Sequence, residues 1–477
     1  MNAPSTEPVE GAPEDGVDAT TGGYLHPALD AAALAALAAT TARRGPRDRE
    51  AAEAGAWLQK TRGPRLGPRA GIDPKDLAAA GWAAVFPRDA DPAVRAALAP
   101  LLSLRREQAA ARRETWYREL AGEEGYLPGD TKASFLNRRG AGGAGPADPR
   151  ELPYYLLLVG RPEEIPFEFQ HQLDVQYAVG RLGFDTAEEY ARYAEGVVAA
   201  ERRAPTGEPP RAVLFAAKNP DDLATARMAD HLAGPLARAL AEGRPEGTIE
   251  SVVGDDATKA RLARLLGGEE TPALLFTATH GMGFPAGDPR QRERQGALLC
   301  QDWPGPKAAA GPVAEDCYFH AADLPQGARL SGLVSFHFAC HSGGTPSLAG
   351  YGEPRPLAPA DFLARLPGRL LGHGNGGALA AVGHVERTWG HSFLWQGAQT
   401  EVFEDALGLI LDGWPVGAAL EAFGQRYAAL ATELVEEQRR GRLGKRTDPA
   451  LLARLFTAVE DARNHLLLGD PAVRIRL

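Results

Sequence analysis

The sequence predicts an α/β protein built from mostly parallel sheets that are flanked by helices. Short apolar runs recur along the chain and are bounded by turn residues, which is the pattern of buried strands. Segments with apolar residues at helical spacing separate these runs. The predicted strands are apolar throughout rather than alternating, so we expect helices to cover the sheet on both faces.

The composition is that of a globular protein with room for several domains. The chain has 477 residues, of which 44% are hydrophobic and 24% are charged. Lys and Arg number 52 against 62 Asp and Glu, and the net charge of −10 provides no global attraction to nucleic acid or to an anionic membrane. The three cysteines, Cys300, Cys317 and Cys340, are too few for a disulfide scaffold and lack the CxxC spacing of a zinc site. This cysteine usage fits a reducing compartment.

The first part of the chain is predicted to contribute little to the sheet. Residues 1–24 are acidic and rich in Pro, Gly, Ser and Thr, which predicts a flexible tail. Residues 25–75 are predicted to form a helical segment, with one helix from Asp30 to Thr40. No stretch has the pattern of a secretory signal or the length of a membrane span. We therefore expect a cytoplasmic protein that binds neither membrane nor nucleic acid.

Two α/β subdomains are predicted, over residues 76–203 and 211–477, joined by the Pro-rich linker 204–210. In the first subdomain we expect strands at Gly81–Pro87, Tyr154–Gly160 and Asp174–Arg181, a helix over 91–120 that Pro100 interrupts, and a helix that begins at a capping box of Asp185 and Glu188. In the second we expect strands in RAVLFAAK, TIESVVG, PALLFTATH, GLVSFHFAC and GALAAVGHV, intervening helices, and then helices to the C-terminus.

Two of the predicted strands end on reactive side chains. His280 and Gly281 follow LLFTAT, and Cys340 ends LVSFHFAC. The carboxyl ends of neighbouring parallel strands meet at one edge of a sheet, so the imidazole of His280 can activate the Cys340 thiol. The backbone N–H groups of Gly281 and Cys340 can then donate to a developing oxyanion. The alternative is structural, because cysteine is among the most buried residue types and an apolar strand is its usual location.

Several longer segments resemble one known family. LLLVGRPEEIP, DVQYAVGRLGFDTAEEYARYAEGVVAAE, GALAAVGHVERTWG and NHLLLGDPAVRIRL occur in the same order as similar segments of the caspase-like cysteine peptidases. That group includes caspases, gingipains, clostripain and separase-like domains, and this chain is most similar to the gingipain-type catalytic domain over about residues 150–477. The resemblance implies a caspase-like (caspase-hemoglobinase) fold, Cys340 as nucleophile, His280 as general acid and base, and no cofactor.

The resemblance also implies a specificity pocket. Trp389 falls where gingipain-like enzymes have an aromatic pocket wall, and Arg227 and Asp222 lie near the segment that carries an Asp in the Arg-specific gingipains. An Arg in the pocket favours an acidic substrate residue and an Asp a basic one. The acid that assists the dyad in that family aligns near Asn219. Thr279 and Phe338, beside the dyad in the sequence, complete the predicted pocket.

Other polar features are assigned to weaker roles. A metal cluster of His337, Cys340 and His341 is disfavoured, because strand alternation directs His337 away from Cys340 and no fourth ligand is evident. The segment from Met282 to Ser331 is predicted to be a long loop, with a hairpin that shapes the cleft or a lid. The basic run Arg439 to Arg446 is interpreted as a solvated loop rather than a nucleic-acid site.

These observations predict a cysteine endopeptidase that cleaves a protein or peptide through an acyl-enzyme, with an activating partner as a further possibility. The alternatives are a catalytically silent caspase-like module that binds or scaffolds other proteins, which an occluded dyad would favour, and a metal-binding protein.

Overall fold

The computed structural model describes residues 13–14, 16–25, 35–36, 38, 48–61, 66–205, 207–268, 270–308, 311–350, 355–394 and 399–477. One ten-stranded sheet forms the centre of the protein. Its strands, numbered along the chain, are β1 Trp82–Val85, β2 Tyr117–Leu120, β3 Tyr155–Val159, β4 Ala178–Leu182, β5 Ala212–Ala216, β6 Ile249–Val253, β7 Leu274–Ala278, β8 Val334–Phe338, β9 Ala380–His384 and β10 His465–Gly469.

The strand order across the sheet is β2-β1-β3-β4-β10-β9-β8-β7-β5-β6. Strand pairs are parallel except at β9 and β10, which are antiparallel. The C-terminal strand β10 therefore joins two parallel half-sheets, and the two predicted α/β units are the halves of one sheet. The predicted mostly parallel α/β fold is confirmed, and the boundaries proposed between domains stay a prediction.

Helices cover both faces of the sheet, as the continuous apolar strands require. The α-helices are Arg49–Thr61, Leu77–Ala80, Pro92–Ala97, Ala99–Ala109, Lys132–Asn137, Phe167–Leu173, Ala187–Arg202, Leu223–Arg227, Gly234–Gly243, Lys259–Gly267, Gln291–Arg294, Arg365–Leu371, Glu401–Leu411, Val416–Ala419, Glu421–Arg442 and Pro449–Arg463. A π-helical segment, Met228–Ala233, continues the helix Leu223–Arg227.

The largest hydrophobic cluster contains residues from all ten strands and the helices packed on them. A second cluster lies between the helices Arg49–Thr61, Glu421–Arg442 and Pro449–Arg463. A third, small cluster surrounds the buried Val17 and Ala19 near the start of the chain. This third cluster shows that part of the N-terminal region packs as core.

A buried ionic group connects the N-terminal half-sheet to the last segment of the chain. Asp470, directly after β10, accepts a 2.9 Å hydrogen bond from the Trp82 indole and a 2.6 Å hydrogen bond from Arg105. Arg105 also pairs with Glu201 at 2.6 Å. A buried charge of this kind needs partners of opposite sign, and here each carboxylate has one.

The structure corrects several local predictions. The helix predicted over 91–120 ends at Ala109, and residues 117–120 form the edge strand β2, because pairing with β1 outweighs the local helix propensity. The C-terminal region includes strand β10, which had been predicted as helix. The helix cap is Thr186, which accepts from the Glu189 N–H at 3.3 Å, one residue after the predicted capping box.

The N-terminal prediction is wrong where the structure can test it. Residues 16–24 were predicted to belong to a flexible tail, yet Val17 is 0% exposed and pairs with Met282. Burial of the Val17 side chain in the third hydrophobic cluster stabilises this segment despite the polar residues around it. The helix predicted from Asp30 to Thr40 lies mostly outside the described residues.

Candidate active site

The strand ends that carry His280 and Cys340 are adjacent, as predicted. Strands β7 and β8 are parallel neighbours, and their register pairs Ala278 with Phe338. His280 and Cys340 each follow that pair by two residues. Gly281 lies directly against the Cys340 backbone, because a Cβ built on it would be 1.7 Å from the Cys340 carbonyl oxygen. Only glycine fits between the two loops at this point.

A buried carboxylate holds the imidazole of His280. Its Nε2 lies 2.8 Å from Oδ2 of Asp222, and both side chains are 0% exposed. The carboxylate accepts at Oδ2, so Nε2 carries the hydrogen and Nδ1 is left as the basic nitrogen. Within the described part of the chain, Nδ1 has no hydrogen-bond partner. This tautomer is the one that a general base requires.

Asp222 is placed by the first turn of the helix Leu223–Arg227. It is the N-cap residue, and its carboxylate accepts from the N–H groups of Ala224 and Thr225 and from the Thr225 hydroxyl, the last at 2.6 Å. Burial raises the pKa of Asp222, but the adjacent His280 and these hydrogen bonds outweigh it and hold the pKa well below its usual range. The carboxylate therefore stays ionised beside the imidazole.

The position of Asp222 corrects two sequence predictions. It was predicted as a pocket residue, but it contacts His280 instead. The assisting acid had been aligned near Asn219, whose side-chain amide donates to the carbonyls of Cys300 and Trp303 at 3.0 Å each. Asn219 therefore positions the loop, and the acid lies three residues further on. The signal that could have found it is an Asp at a helix start next to a predicted strand end.

The Cys340 thiol is enclosed by the segment after β9. The Thr388 N–H donates to Sγ at 3.2 Å, and the Thr388 hydroxyl lies 3.4 Å from Sγ. The thiol is 0% exposed. The next residue, His341, has φ of 60°, a left-handed conformation that is uncommon outside glycine and marks a sharp turn after the cysteine. The nucleophile candidate is thus buried, with its backbone turning away directly after it.

Aromatic rings flank His280 on two sides. Tyr24 lies 5.9 Å from the imidazole, centroid to centroid, and Trp303 lies 6.1 Å from it in an edge-to-face arrangement. Trp303 comes from the long loop after β7, in which Leu298–Leu299 pairs antiparallel with Tyr318–Phe319. The predicted hairpin in this loop is confirmed. Neither ring was predicted from the sequence, because both contacts join distant parts of the chain.

The structure distributes the predicted pocket residues differently. Trp389 is 1% exposed, and its backbone N–H donates to the carboxylate of Asp461 at 2.8 Å. Arg227 is half-buried on the helix that begins after Asp222. Two predicted pocket residues are core residues instead. Phe338 packs against Phe393 and Phe403, and Thr279 donates to the Leu299 carbonyl. Both lie within or directly after the paired strands, where side chains point into the packed faces.

The residues suggested for a metal cluster have other partners. His337 Nδ1 lies 2.9 Å from the Thr277 hydroxyl, and His341 Nδ1 lies 3.1 Å from the Thr345 hydroxyl. Among the residues that the structure describes, no group of three or more His, Cys, Asp or Glu side chains is placed to hold a metal ion. Within the same part of the chain, no helix is both long and apolar enough to cross a membrane.

Comparisons with known proteins give structural matches alone. No family model matches the sequence, and no curated protein matches it. Gingipain R (RgpB), an Arg-specific cysteine proteinase, is similar to this chain with a TM-score of 0.44 at 12% identity, over 83% of this chain and 78% of that one. A structure described as a protease is similar with a TM-score of 0.46 at 11% identity over the same shares.

A complex of the pro- and mature domains of Porphyromonas gingivalis RgpB is similar with a TM-score of 0.43 at 12% identity, over 83% of this chain and 79% of that one. This chain resembles gingipain-type cysteine proteinases, as the sequence predicted.

Proposed function

We propose that this protein is a cysteine endopeptidase in which Cys340 is the nucleophile, His280 is the general acid and base, and Asp222 orients His280. The observation that carries the proposal is the 2.8 Å contact between His280 Nε2 and Asp222, at a strand end in register with Cys340. A base held by a third group beside a nucleophile is the arrangement that covalent catalysis uses.

The chemistry follows from these positions. Nδ1 of His280 takes the proton of the Cys340 thiol, and the thiolate attacks the carbonyl carbon of a peptide bond. The carbonyl oxygen becomes an oxyanion, and the N–H groups of Gly281 and Cys340 are the proposed donors to it. The imidazolium then gives its proton to the leaving amine, which leaves a thioester. Water, deprotonated by His280, hydrolyses the thioester to a carboxylic acid and restores the thiol.

The Gly281 N–H supports the assignment of the oxyanion donors. Among the described residues, none accepts a backbone hydrogen bond from this N–H, whereas the Gly281 carbonyl accepts from Val17 at 3.2 Å. An amide donor that is available beside the nucleophile suits charge that develops only in the transition state. Gly281 also brings its backbone to the Cys340 backbone, which a side chain would prevent.

One observation favours a second function, a catalytically silent binding module. The Cys340 thiol is 0% exposed, so no substrate can reach it in this arrangement. An enzyme needs a way to open the site, whereas a scaffold does not. The two functions therefore differ in whether Cys340 becomes reactive.

The test uses a pooled peptide library and mass spectrometry of the products. We expect cleavage by the wild type or by a variant whose site has been opened, and loss of that cleavage in Cys340→Ala and His280→Ala. His231→Ala, at an exposed histidine, is the control and should cleave like its parent protein. No cleavage by any variant in which Cys340 reacts with an alkylating probe would reject the peptidase and favour the silent module.

A further inference from the structure

A strand from the N-terminal region crosses the candidate active site. Pro13–Glu14 pairs antiparallel with Thr388–Trp389, the segment that encloses the thiol. Val17–Asp18 then pairs parallel with Met282–Gly283, directly after the His280 loop. The two pairings lie on either side of Cys340. An extended chain therefore runs between the two backbone edges of the site, which is how a cleft binds a peptide by strand addition.

Gly16 is the residue of this strand that passes the nucleophile. A Cβ built on it would lie 3.3 Å from the Cβ of Cys340 and 2.4 Å from the Gly281 carbonyl oxygen. The same Cβ would lie 2.7 Å from a methyl carbon of Leu25. Gly16 has no positive φ, so space rather than backbone conformation requires glycine here. At Gly16 the strand is packed against Cys340 and Gly281 without room for a side chain.

The strand is anchored after Gly16 by buried side chains and backbone hydrogen bonds. Val17 and Ala19 are 0% and 2% exposed in the third hydrophobic cluster. The Ala19 N–H donates to Gly283 at 2.8 Å, and the Ala19 carbonyl accepts from Val313 at 3.0 Å. Leu25 folds back over the strand, and its N–H donates to the Gly16 carbonyl at 2.9 Å. These contacts make the strand part of the fold rather than a loose cover.

Tyr24 extends the same segment to the acid of the site. Its hydroxyl donates a 2.7 Å hydrogen bond to Oδ1 of Asp222, and its ring lies 5.9 Å from the His280 ring. The N-terminal segment therefore contacts the candidate nucleophile, the base and the acid. No other segment in the described part of the chain pairs with both edges of the site.

We propose that residues 13–14 and 16–25 occupy the substrate cleft in cis and keep the protein inactive until the strand leaves. The proposal rests on the peptidase function proposed above for the same site. It accounts for a Cys340 thiol that is 0% exposed although His280 and Asp222 are already paired at the adjacent strand end. It also implies that a substrate binds as an extended strand between Thr388–Trp389 and Met282–Gly283.

The experiment compares two identical substitutions in the same segment. Gly16→Val places a side chain against Cys340 and Gly281, and it should expel the strand from the cleft. Gly23→Val is the matched control, because a Cβ at Gly23 would meet only the Thr21 hydroxyl, at 3.6 Å. The measurement is the rate at which iodoacetamide alkylates Cys340, followed by peptide mass spectrometry on the folded protein, with Cys300 and Cys317 as internal references.

We expect alkylation of Cys340 to be at least about tenfold faster in Gly16→Val than in the wild type, and unchanged in Gly23→Val. Equal rates in the wild type and Gly16→Val would overturn the proposal. If Gly16→Val does not fold, deletion of residues 1–16 replaces it, since that deletion retains the buried Val17 and Ala19. In the shortened protein, Cys340 should be alkylated as fast as expected for Gly16→Val. A rate equal to that of the wild type would overturn the proposal.

The last part of the experiment uses a peptide with the sequence of residues 7–16, which ends where the shortened protein begins. Added to the shortened protein, it should slow alkylation of Cys340 again, and a scrambled peptide should not; equal effects of the two peptides would contradict occupancy of the cleft. Peptide cleavage is measured in parallel. Fast alkylation without cleavage counts against the peptidase function but not against occupancy, so failures of the two proposals are distinguishable.

Discussion

The Tyr24 hydroxyl donates a 2.7 Å hydrogen bond to the carboxylate of Asp222, across 198 residues of sequence. The same carboxylate holds His280 through its other oxygen. Displacement of the N-terminal strand therefore removes a hydrogen bond from the acid that orients the base. Opening of the cleft and the electrostatics of the proposed catalytic group are coupled through this one side chain.

Tyr24→Phe should loosen the N-terminal strand without removing its ring from His280. Tyr24 is 42% exposed, so loss of its hydrogen bond to a charged group should cost about 1 kcal/mol. That free energy corresponds to roughly fivefold faster alkylation of Cys340 if the strand has to open first. The measurement is the iodoacetamide rate, together with hydrogen exchange of the Val17 and Ala19 amides. Thr21→Ser, an exposed change in the same segment that keeps the hydroxyl accepting from the Gly23 N–H, should leave both values as in the wild type.

Asp222→Asn should reduce peptide cleavage by about 100-fold or more, because the amide no longer stabilises a protonated His280 and does not fix its tautomer. Asn remains a good N-cap residue, so the helix that follows should persist. The measurement is the initial rate of cleavage of a library peptide by a protein with an open cleft. The pKa of Asp222 is lowered in the folded wild type, which therefore carries this charge throughout the neutral range. Asn carries no charge at any pH, so a higher pH should not restore the rate of the variant.

The adjacent residue provides the matched control for that substitution. Asp221 is exposed, has φ of 55°, and pairs with Lys307 at 2.9 Å. Asn tolerates this left-handed backbone well, and an exposed ion pair contributes little. Asp221→Asn should therefore cleave at a rate within about twofold of the parent protein. An equal loss in both variants would contradict a specific role for Asp222.

The strands could be predicted because each one is a short, mostly apolar run in the local sequence. Runs such as the one that forms β7, Leu274–Ala278, are mostly apolar and are buried at every position, and the residues just beyond them fall at the edge of the sheet where sites form. This reasoning placed His280 and Cys340 together. Strand β10 contains three consecutive leucines, but it follows directly on the helix Pro449–Arg463, and periodicity alone does not distinguish so short an apolar run from a continuing helix.

Long-range contacts could not be predicted in the same way. The docking of residues 16–25 depends on the small cluster around Met282 and Trp303, which exists only after the long loop has folded. Composition suggested a tail, since polar and turn residues outnumber the few apolar ones that bury. Asp222 was predicted as a pocket residue and its contact with His280 was not, because the distance between these side chains depends on where the helix starts and not on sequence separation.

Asp461→Ala should lower the stability of the protein and release the segment around Trp389. Asp461 is 1% exposed, accepts from the Trp389 N–H at 2.8 Å and from the Ser392 hydroxyl, and lies 3.5 Å from His384 Nε2. Loss of these buried hydrogen bonds should cost about 3 kcal/mol in the free energy of unfolding. The free energy of unfolding of each variant is measured by urea denaturation. Asp412→Ala, which removes a half-exposed partner of Arg244, should change stability by less than about 1 kcal/mol.

Buried histidines should make the protein less stable in mild acid. Burial lowers the pKa of His337 to about 4 and those of His341 and His465 to about 3. The unfolded chain, with a histidine pKa of about 6.5, binds protons that the folded state excludes, so stability is complete above that pH and falls as the pH drops towards 4. Each such histidine contributes a loss of about 1.4 kcal/mol per pH unit in this window.

His337→Gln isolates one of these groups, because glutamine does not titrate and can keep the hydrogen bond to Thr277. The free energy of unfolding is measured in urea at pH 6.5 and pH 5. The wild type should lose more stability between these values than the variant, by about 2 kcal/mol. His231→Gln, on the exposed surface, should show the same pH dependence as the wild type. A His337→Gln protein with the wild-type pH dependence would contradict a neutral His337 in the folded protein.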